Sequence, residues 1–216
     1  MLGQVPPPGR TAQGSIVLGG RQLVGLPERD MGKIRGREIG VVFQDPMMAL
    51  SPVHRIGDQM IEGLVRHEGI SRTRAMVRAA ELLDLVGVVD AKNRLNDYPH
   101  QFSGGMAQRA MIAAALICKP RLLIADEPTT ALDATVQKQV LDLLLQLRET
   151  LGMSVLFITH DLAVVAQLCD RVGVMKLGEM VEEGTTSDLF SAPKHPYTRQ
   201  LMLAREMLDG PMEKTA

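Results

Sequence analysis

Apolar residues in this chain follow two rhythms. Three short continuous runs, Ile39-Gly40-Val41-Val42-Phe43, Leu122-Leu123-Ile124-Ala125 and Val155-Leu156-Phe157-Ile158, read as strands buried on both faces, because a strand covered on one face alternates instead. Elsewhere the spacing is three and four. Ile56, Met60, Leu64 and His67 fall near one helical face, and Met76, Ala79, Leu83 and Val86 follow Ser71, a predicted N-cap. An almost wholly apolar helix over 110–118 follows Ser103-Gly104-Gly105. Asp133 caps a long amphipathic helix carrying Val136, Val140, Leu143, Leu144 and Leu147, which Gly152 ends. Strands alternating with helices predict an α/β fold with a parallel sheet. Helices from 56 to 89 without an intervening strand predict a lobe apart from that sheet.

The outer stretches are less regular. Residues 14–20 predict a strand and turn, paired as a hairpin with Gln22-Leu23-Val24. The polar stretch 32–38, with Lys33, Arg35 and Arg37, reads as a solvated face. Beyond residue 160 the pattern predicts a helix over 162–168, strands over 172–175 and 179–181, a short helix over 187–190 and a terminal helix over 196–208.

The polar residues at the strand ends carry the candidate chemistry. The run 122–125 leads directly into two carboxylates, Asp126 and Glu127. In open parallel sheets ligands bind outside the carboxyl ends of the strands. Two acids there are costly to desolvate unless a cation or a reacting water shares the site. The pair therefore points to a magnesium–nucleotide site, with Asp126 on the metal and Glu127 on the water; a strand ending in a solvated acidic turn is the plainer alternative. Gln44 ends the run 39–43, just before Asp45-Pro46, and can reach the same metal if the two strands are neighbours. His160 ends the run 155–158 and is a candidate phosphate partner. Ser103 can cap its helix while Gly104 and Gly105 let backbone approach a ligand, and a helix N-terminus attracts anions; an ordinary Ser-capped core helix is the alternative.

Composition narrows the classes. A length of 216 residues suits one substantial domain or one domain with a smaller lobe, and a formal net charge of −1 gives no electrostatic case for nucleic acid. With 45% hydrophobic and only 3% aromatic residues, the core must be aliphatic, with 14 Met as adaptable filler. Cys118 and Cys169 make neither a disulfide framework nor a metal spacing, so reduced core thiols are expected. No apolar run reaches the length of a membrane span.

Taken in order, Phe43-Gln44-Asp45-Pro46, Phe102-Ser103-Gly104-Gly105-Met106, the Asp126-Glu127 strand, Ala131-Leu132-Asp133 and Thr159-His160-Asp161 resemble the nucleotide-binding subunit of ABC transporters. The runs 43–52, 98–108 and 125–133, with His195-Pro196-Tyr197-Thr198, resemble the subgroup serving dipeptide, oligopeptide, glutathione and nickel importers. The resemblance implies a P-loop NTPase-like parallel sheet core over 1–216, an inserted helical lobe over about 56–118 and a subgroup-specific segment over about 185–216. It implies ATP and Mg2+ as cofactors. Gln44 becomes the Q-loop residue sensing the metal, and Asp126 its ligand. Glu127 becomes the catalytic base and His160 the switch histidine on the γ-phosphate. Ser103, Gly104, Gly105 and Met106 become the signature motif that binds the partner's nucleotide, and Asp133 belongs to the dimer-contacting D-loop. Met106 stands where Gln is commonest, and Ala107 where Arg is frequent.

The implied partners are a second ABC ATPase subunit or domain in a head-to-tail dimer, two transmembrane permease subunits and, indirectly, a periplasmic solute-binding protein. The implied location is peripheral, on the cytoplasmic face of the inner membrane. No Gly-x-x-x-x-Gly-Lys-[Ser/Thr] occurs in the chain. The resemblance places that loop, the first strand and most of the first helix upstream, with residues 1–9 as the tail of that helix. A fragment unable to hydrolyse ATP by itself is then expected; the alternative is a degenerate regulatory or structural subunit completing a partner's site. A DNA- or ribosome-acting relative would need a coiled-coil insertion or basic arm, and neither is present.

Overall fold

The computed structural model describes residues 2–130 and 132–209. Met1, Ala131 (part of the 131–133 motif) and residues 210–216 lie outside them. The chain forms two compact units, residues 2–158 and 159–209.

The first unit opens with a small antiparallel hairpin, β1 (Val17–Leu18) and β2 (Arg21–Gln22), followed by α1 (Glu28–Ile34). β3 (Ile39–Val42) leads into the one-turn α2 (Pro46–Ala49). Next come α3 (Ile56–Glu68), α4 (Arg72–Leu85), the short α5 (Ala91–Arg94) and a 3-10 turn at Pro99–Gln101. α6 (Gly104–Leu116), β4 (Leu122–Asp126), α7 (Ala134–Leu151) and β5 (Ser154–Ile158) complete it. The three apolar runs form one parallel sheet in the order β3-β4-β5. Val42 lies opposite Ala125, and Asp126 opposite Ile158, so the strands end level with one another.

The main core joins this sheet to the helices. Ile56, Met60, Ile61 and Leu64 of α3, Ala75, Ala79 and Leu83 of α4, and Ile112 and Leu116 of α6 bury their apolar stripes together with Leu123 of β4 and Val140 and Leu147 of α7. Caps fall where the sequence provides them. Ser71, Ser103 and Asp133 accept backbone N–H groups of the first turn, and Gly69 and Gly152 end α3 and α7 in the left-handed conformation that glycine adopts without strain. Gly57 has a tighter reason: a Cβ there would lie 2.8 Å from the Leu95 carbonyl oxygen. A second, smaller cluster sets Leu23, Met31 and Ile34 against Ile39 and Ile124 on the other face of the sheet.

Three expectations need correction. β5 is not buried on both faces: Val155 and Phe157 pack on the main core, but Leu156 and Ile158 are 39% and 46% exposed, because the small second cluster covers β3 and β4 and does not extend to β5. Within 32–38, Lys33 and Arg37 are exposed as expected, but α1 buries Ile34, and Arg35, with its side chain 22% exposed, pairs with Glu28 and donates to the Leu2 carbonyl. The basic spacing masks a short helix whose apolar residues are only two. Residues 2–9 are not helical; three consecutive prolines remove the N–H groups and helical φ/ψ freedom that a helix needs.

The second unit contains α8 (Leu162–Leu168), the antiparallel pair β6 (Arg171–Lys176) and β7 (Glu179–Thr185), α9 (Thr186–Ser191) and α10 (Pro196–Asp209). The His195-Pro196-Tyr197-Thr198 run starts α10, and Glu182 of β7 holds that start. Its carboxylate accepts the Lys194 N–H at 2.7 Å and the His195 N–H at 3.0 Å. Lys176 of β6 lies over the Tyr197 ring, 4.7 Å from its centroid. The Thr198 hydroxyl, which faces the Glu182 carboxylate without strict hydrogen-bond geometry, and the two amide donors keep that carboxyl below its ordinary value.

Leu64 is fully buried and Val89 is 84% exposed. Leu64→Ala is expected to cost about 2–5 kcal/mol in urea unfolding, and Val89→Ala less than about 0.5 kcal/mol. For Glu182 the sign is set by a depressed native pKa. Its stabilising effect is complete above the ordinary glutamate value and is lost as the pH falls through the native one. Exchange protection of the His195 amide should fall in that acid window, and Glu182→Gln should flatten the dependence.

Candidate functional site

The level strand ends of the sheet bring Gln44, Asp126 and Glu127 together. Gln44 leaves β3 two residues after Val42, Asp126 closes β4, and Glu127 follows it. Gln44 donates from Nε2 to Glu127 Oε2 at 2.9 Å, and the Thr130 hydroxyl donates to the same oxygen at 3.0 Å. The amide and carboxylate come from positions 83 residues apart and meet only because β3 and β4 are neighbours. Asp126 and Gln44 are exposed, and Glu127 is half-buried.

The backbone at Glu127 is unusual. Its φ is +45°, left-handed for a residue with a side chain. The turn is held by the Glu127 N–H on the Ile158 carbonyl at 2.9 Å and the Thr130 N–H on the Glu127 carbonyl at 3.3 Å. A side chain held in such a conformation is a feature of functional turns.

The Ser103-Gly104-Gly105-Met106 run forms the start of α6. Ser103 Oγ accepts the Met106 N–H at 3.3 Å. Ser103 and Gly104 are exposed, whereas Met106 packs on the core. A Cβ on Gly105 would sit 3.0 Å from Val136 Cγ1, so this end of α6 lies close to the start of α7. Asp133 caps α7 through Oδ1, accepting the Thr135 and Val136 N–H groups at 3.1 and 3.0 Å. His160 follows the end of β5 by two residues, is exposed, and belongs to the second unit.

Sequence reasoning passed over two residues here. Thr130 carries no role in the sequence reading, although a hydroxyl three residues beyond an acid is ordinary side-chain turn chemistry. Gln108 lies just before the apolar helical stretch 110–118 and carries no role of its own in the sequence reading. It is 1% exposed, and its Nε2 donates to the Pro128 carbonyl at 2.5 Å. An amide at the start of a largely apolar helix is the available signal for it.

Chemically, the site offers two adjacent carboxylates at a sheet edge, one of them held by neutral donors. That set suits a hard cation such as Mg2+, which takes one or two carboxylates and fills its remaining positions with water and phosphate oxygens.

The sequence model of the ABC transporter family matches residues 1–130. The chain is 53% identical over 193 residues to a "Probable peptide ABC transporter ATP-binding protein" of Sinorhizobium fredii, covering 89% of this chain and 58% of that protein. It is 50% identical over 208 residues to the oligopeptide transport ATP-binding protein OppD of Bacillus subtilis, covering 96% of this chain and 58% of that protein. The chain thus spans less than two thirds of the length of these curated relatives. Among solved structures, the dimeric ATP-binding cassette MJ0796 in a post-hydrolysis state bound to ADP and phosphate superposes with a TM-score of 0.72 at 29% identity, over 82% of this chain and 75% of that one.

Replacing Asp133 by Ala removes the acceptor that starts α7 and is expected to lower stability by about 1 kcal/mol, with Asp133→Asn close to wild type; chemical denaturation measures both.

Proposed function

This chain belongs to the ABC transporter family, and from that premise we propose that it is the ATP-binding, ATP-hydrolysing part of a subunit that energises import of dipeptides, oligopeptides or related small solutes. The observation that carries the reading is the convergence of Gln44 and Thr130 on the Glu127 carboxylate beside Asp126, at the carboxyl edge of a parallel sheet. In this reading Asp126 and Gln44 hold Mg2+, and Glu127 accepts the proton of the attacking water. When bound, the metal neutralises charge developing on the phosphates. His160 takes the switch-histidine role. Ser103, Gly104, Gly105 and Met106 address the nucleotide of a second ABC ATPase subunit or domain, and Asp133 lies in the D-loop of that head-to-tail dimer.

The names of the relatives support the substrate class: peptide transport for one and oligopeptide transport for the other. Two transmembrane permease subunits complete the proposed assembly, and a periplasmic solute-binding protein delivers the solute. Among the described residues no helix is long and apolar enough to cross a membrane, and a peripheral position on the cytoplasmic face of the inner membrane fits the proposal. Residues 1–216 contain no Gly-x-x-x-x-Gly-Lys-[Ser/Thr] loop, the element that cradles the β- and γ-phosphates. We therefore propose that these residues alone do not turn over ATP.

The test compares the 216-residue chain with a chimaera carrying the preceding segment of a relative. The chain alone should show no Glu127-dependent hydrolysis. The chimaera should hydrolyse ATP, and Glu127→Gln should lower its kcat by about 10²–10⁴-fold. A chimaera indifferent to Glu127→Gln would refute the assignment of the base.

A further inference from the structure

Helix α6 is apolar almost throughout, yet it buries one primary amide completely. Gln108 is 1% exposed, and burial of an amide is unfavourable unless its hydrogen bonds are made. Its donor goes to the carbonyl of Pro128, the residue that follows Glu127, at 2.5 Å. Pro128 has no N–H, so its carbonyl is the only main-chain hydrogen-bonding group that this residue can offer.

The neighbouring contacts hold this end of α6 to α7 and to the end of α4. Arg109 donates to the Val86 carbonyl at 2.5 Å and to Gln139 Oε1 of α7 at 3.0 Å. Gly105 admits Val136 at a distance that a Cβ would crowd. The turn itself sits in a left-handed conformation at Glu127, and such a conformation persists only where surrounding groups over-determine it. Thr130 grips the carboxylate from within the turn. Gln108 grips the backbone from the helix.

We infer that Gln108 is a positioning residue that couples the Ser103–Met106 end of α6 to the Glu127 turn. A displacement of α6 is passed through the Gln108–Pro128 hydrogen bond to the backbone that carries the carboxylate. The link rests on geometry alone; its consequence for hydrolysis rests on the proposed function.

Amide exchange by NMR on the 216-residue chain tests the link without nucleotide. In Gln108→Leu, the Thr130 and Leu132 amides, which close the turn on Glu127 and Thr129, should exchange about ten-fold faster, the loss expected for one buried hydrogen bond. Leu123 of β4 and Ala113 of α6 should stay within about two-fold. Gln108→Glu supplies a rescue. Above its own pKa, which burial beside a carbonyl raises over the ordinary glutamate value, its carboxylate faces the Pro128 carbonyl and the turn should be loose. Below it, the acid O–H donates to that carbonyl, and protection should return after correction for intrinsic exchange. Unchanged exchange at the turn, or equal acceleration at all four amides, overturns the inference. In the chimaera described above, Gln108→Leu should lower kcat about ten-fold and leave KM for ATP within about two-fold. A chimaera that does not hydrolyse ATP at all would refute the functional reading and leave the exchange result to decide the link.

Discussion

The parallel register of β3, β4 and β5 is the constraint on which the site depends. β3 and β4 are apolar runs because helices cover one face of the sheet and the small second cluster the other, whereas β5 packs only Val155 and Phe157 on the main core. Val42 opposite Ala125 and Asp126 opposite Ile158 make the strand ends coincide. A slip of one residue would turn every side chain of a strand to the other face and would carry Gln44 away from Glu127. The same burial that makes β3 and β4 apolar therefore places an amide and two acids along one edge.

Holding Glu127 is a local energetic problem with a local solution. A left-handed residue with a Cβ is disfavoured by roughly 1–2 kcal/mol. A hydrogen bond to a charged acceptor contributes about 1.5–3 kcal/mol. Gln44 and Thr130 both donate to one carboxylate oxygen, enough to offset the backbone conformation even after discounting for partial exposure. Both of these donors are neutral, and both reach the carboxylate from the same edge of the sheet.

Much of this could be read before any coordinates. The three strands, the caps Ser71, Ser103 and Asp133, and the glycine stop at 152 follow from periodicity and capping chemistry that act within a few residues; the exposure of one face of β5 does not. What escaped depends on contacts across the fold. The helix Glu28–Ile34 has only Met31 and Ile34 to bury, too few for a periodic signal, and its arginine pairs with an acid seven residues back. Residues 2–9 carried a family resemblance to helix, which three prolines overrule. Gln108 gave a weak signal because an amide in a helix is common. Its role appears only once Pro128, twenty positions away in the chain, is seen beside it.

The position of α6 can itself be traced to small residues. A Cβ on Gly40 would collide with the Ala115 carbonyl, so the helix backbone rests against β3 at a separation that only glycine permits. Ala107, Ala110 and Ala113 are fully buried along the same helix, and their small side chains let the sheet and the neighbouring helices close on it. Shape, more than hydrophobic bulk, thus sets where α6 lies. A larger residue at Gly40 would push the helix backbone away at Ala115. The aliphatic, nearly aromatic-free composition and the geometry of the acidic turn are in this sense one fact: close backbone packing brings a helix near enough for a single side chain to hold the turn beside the acids.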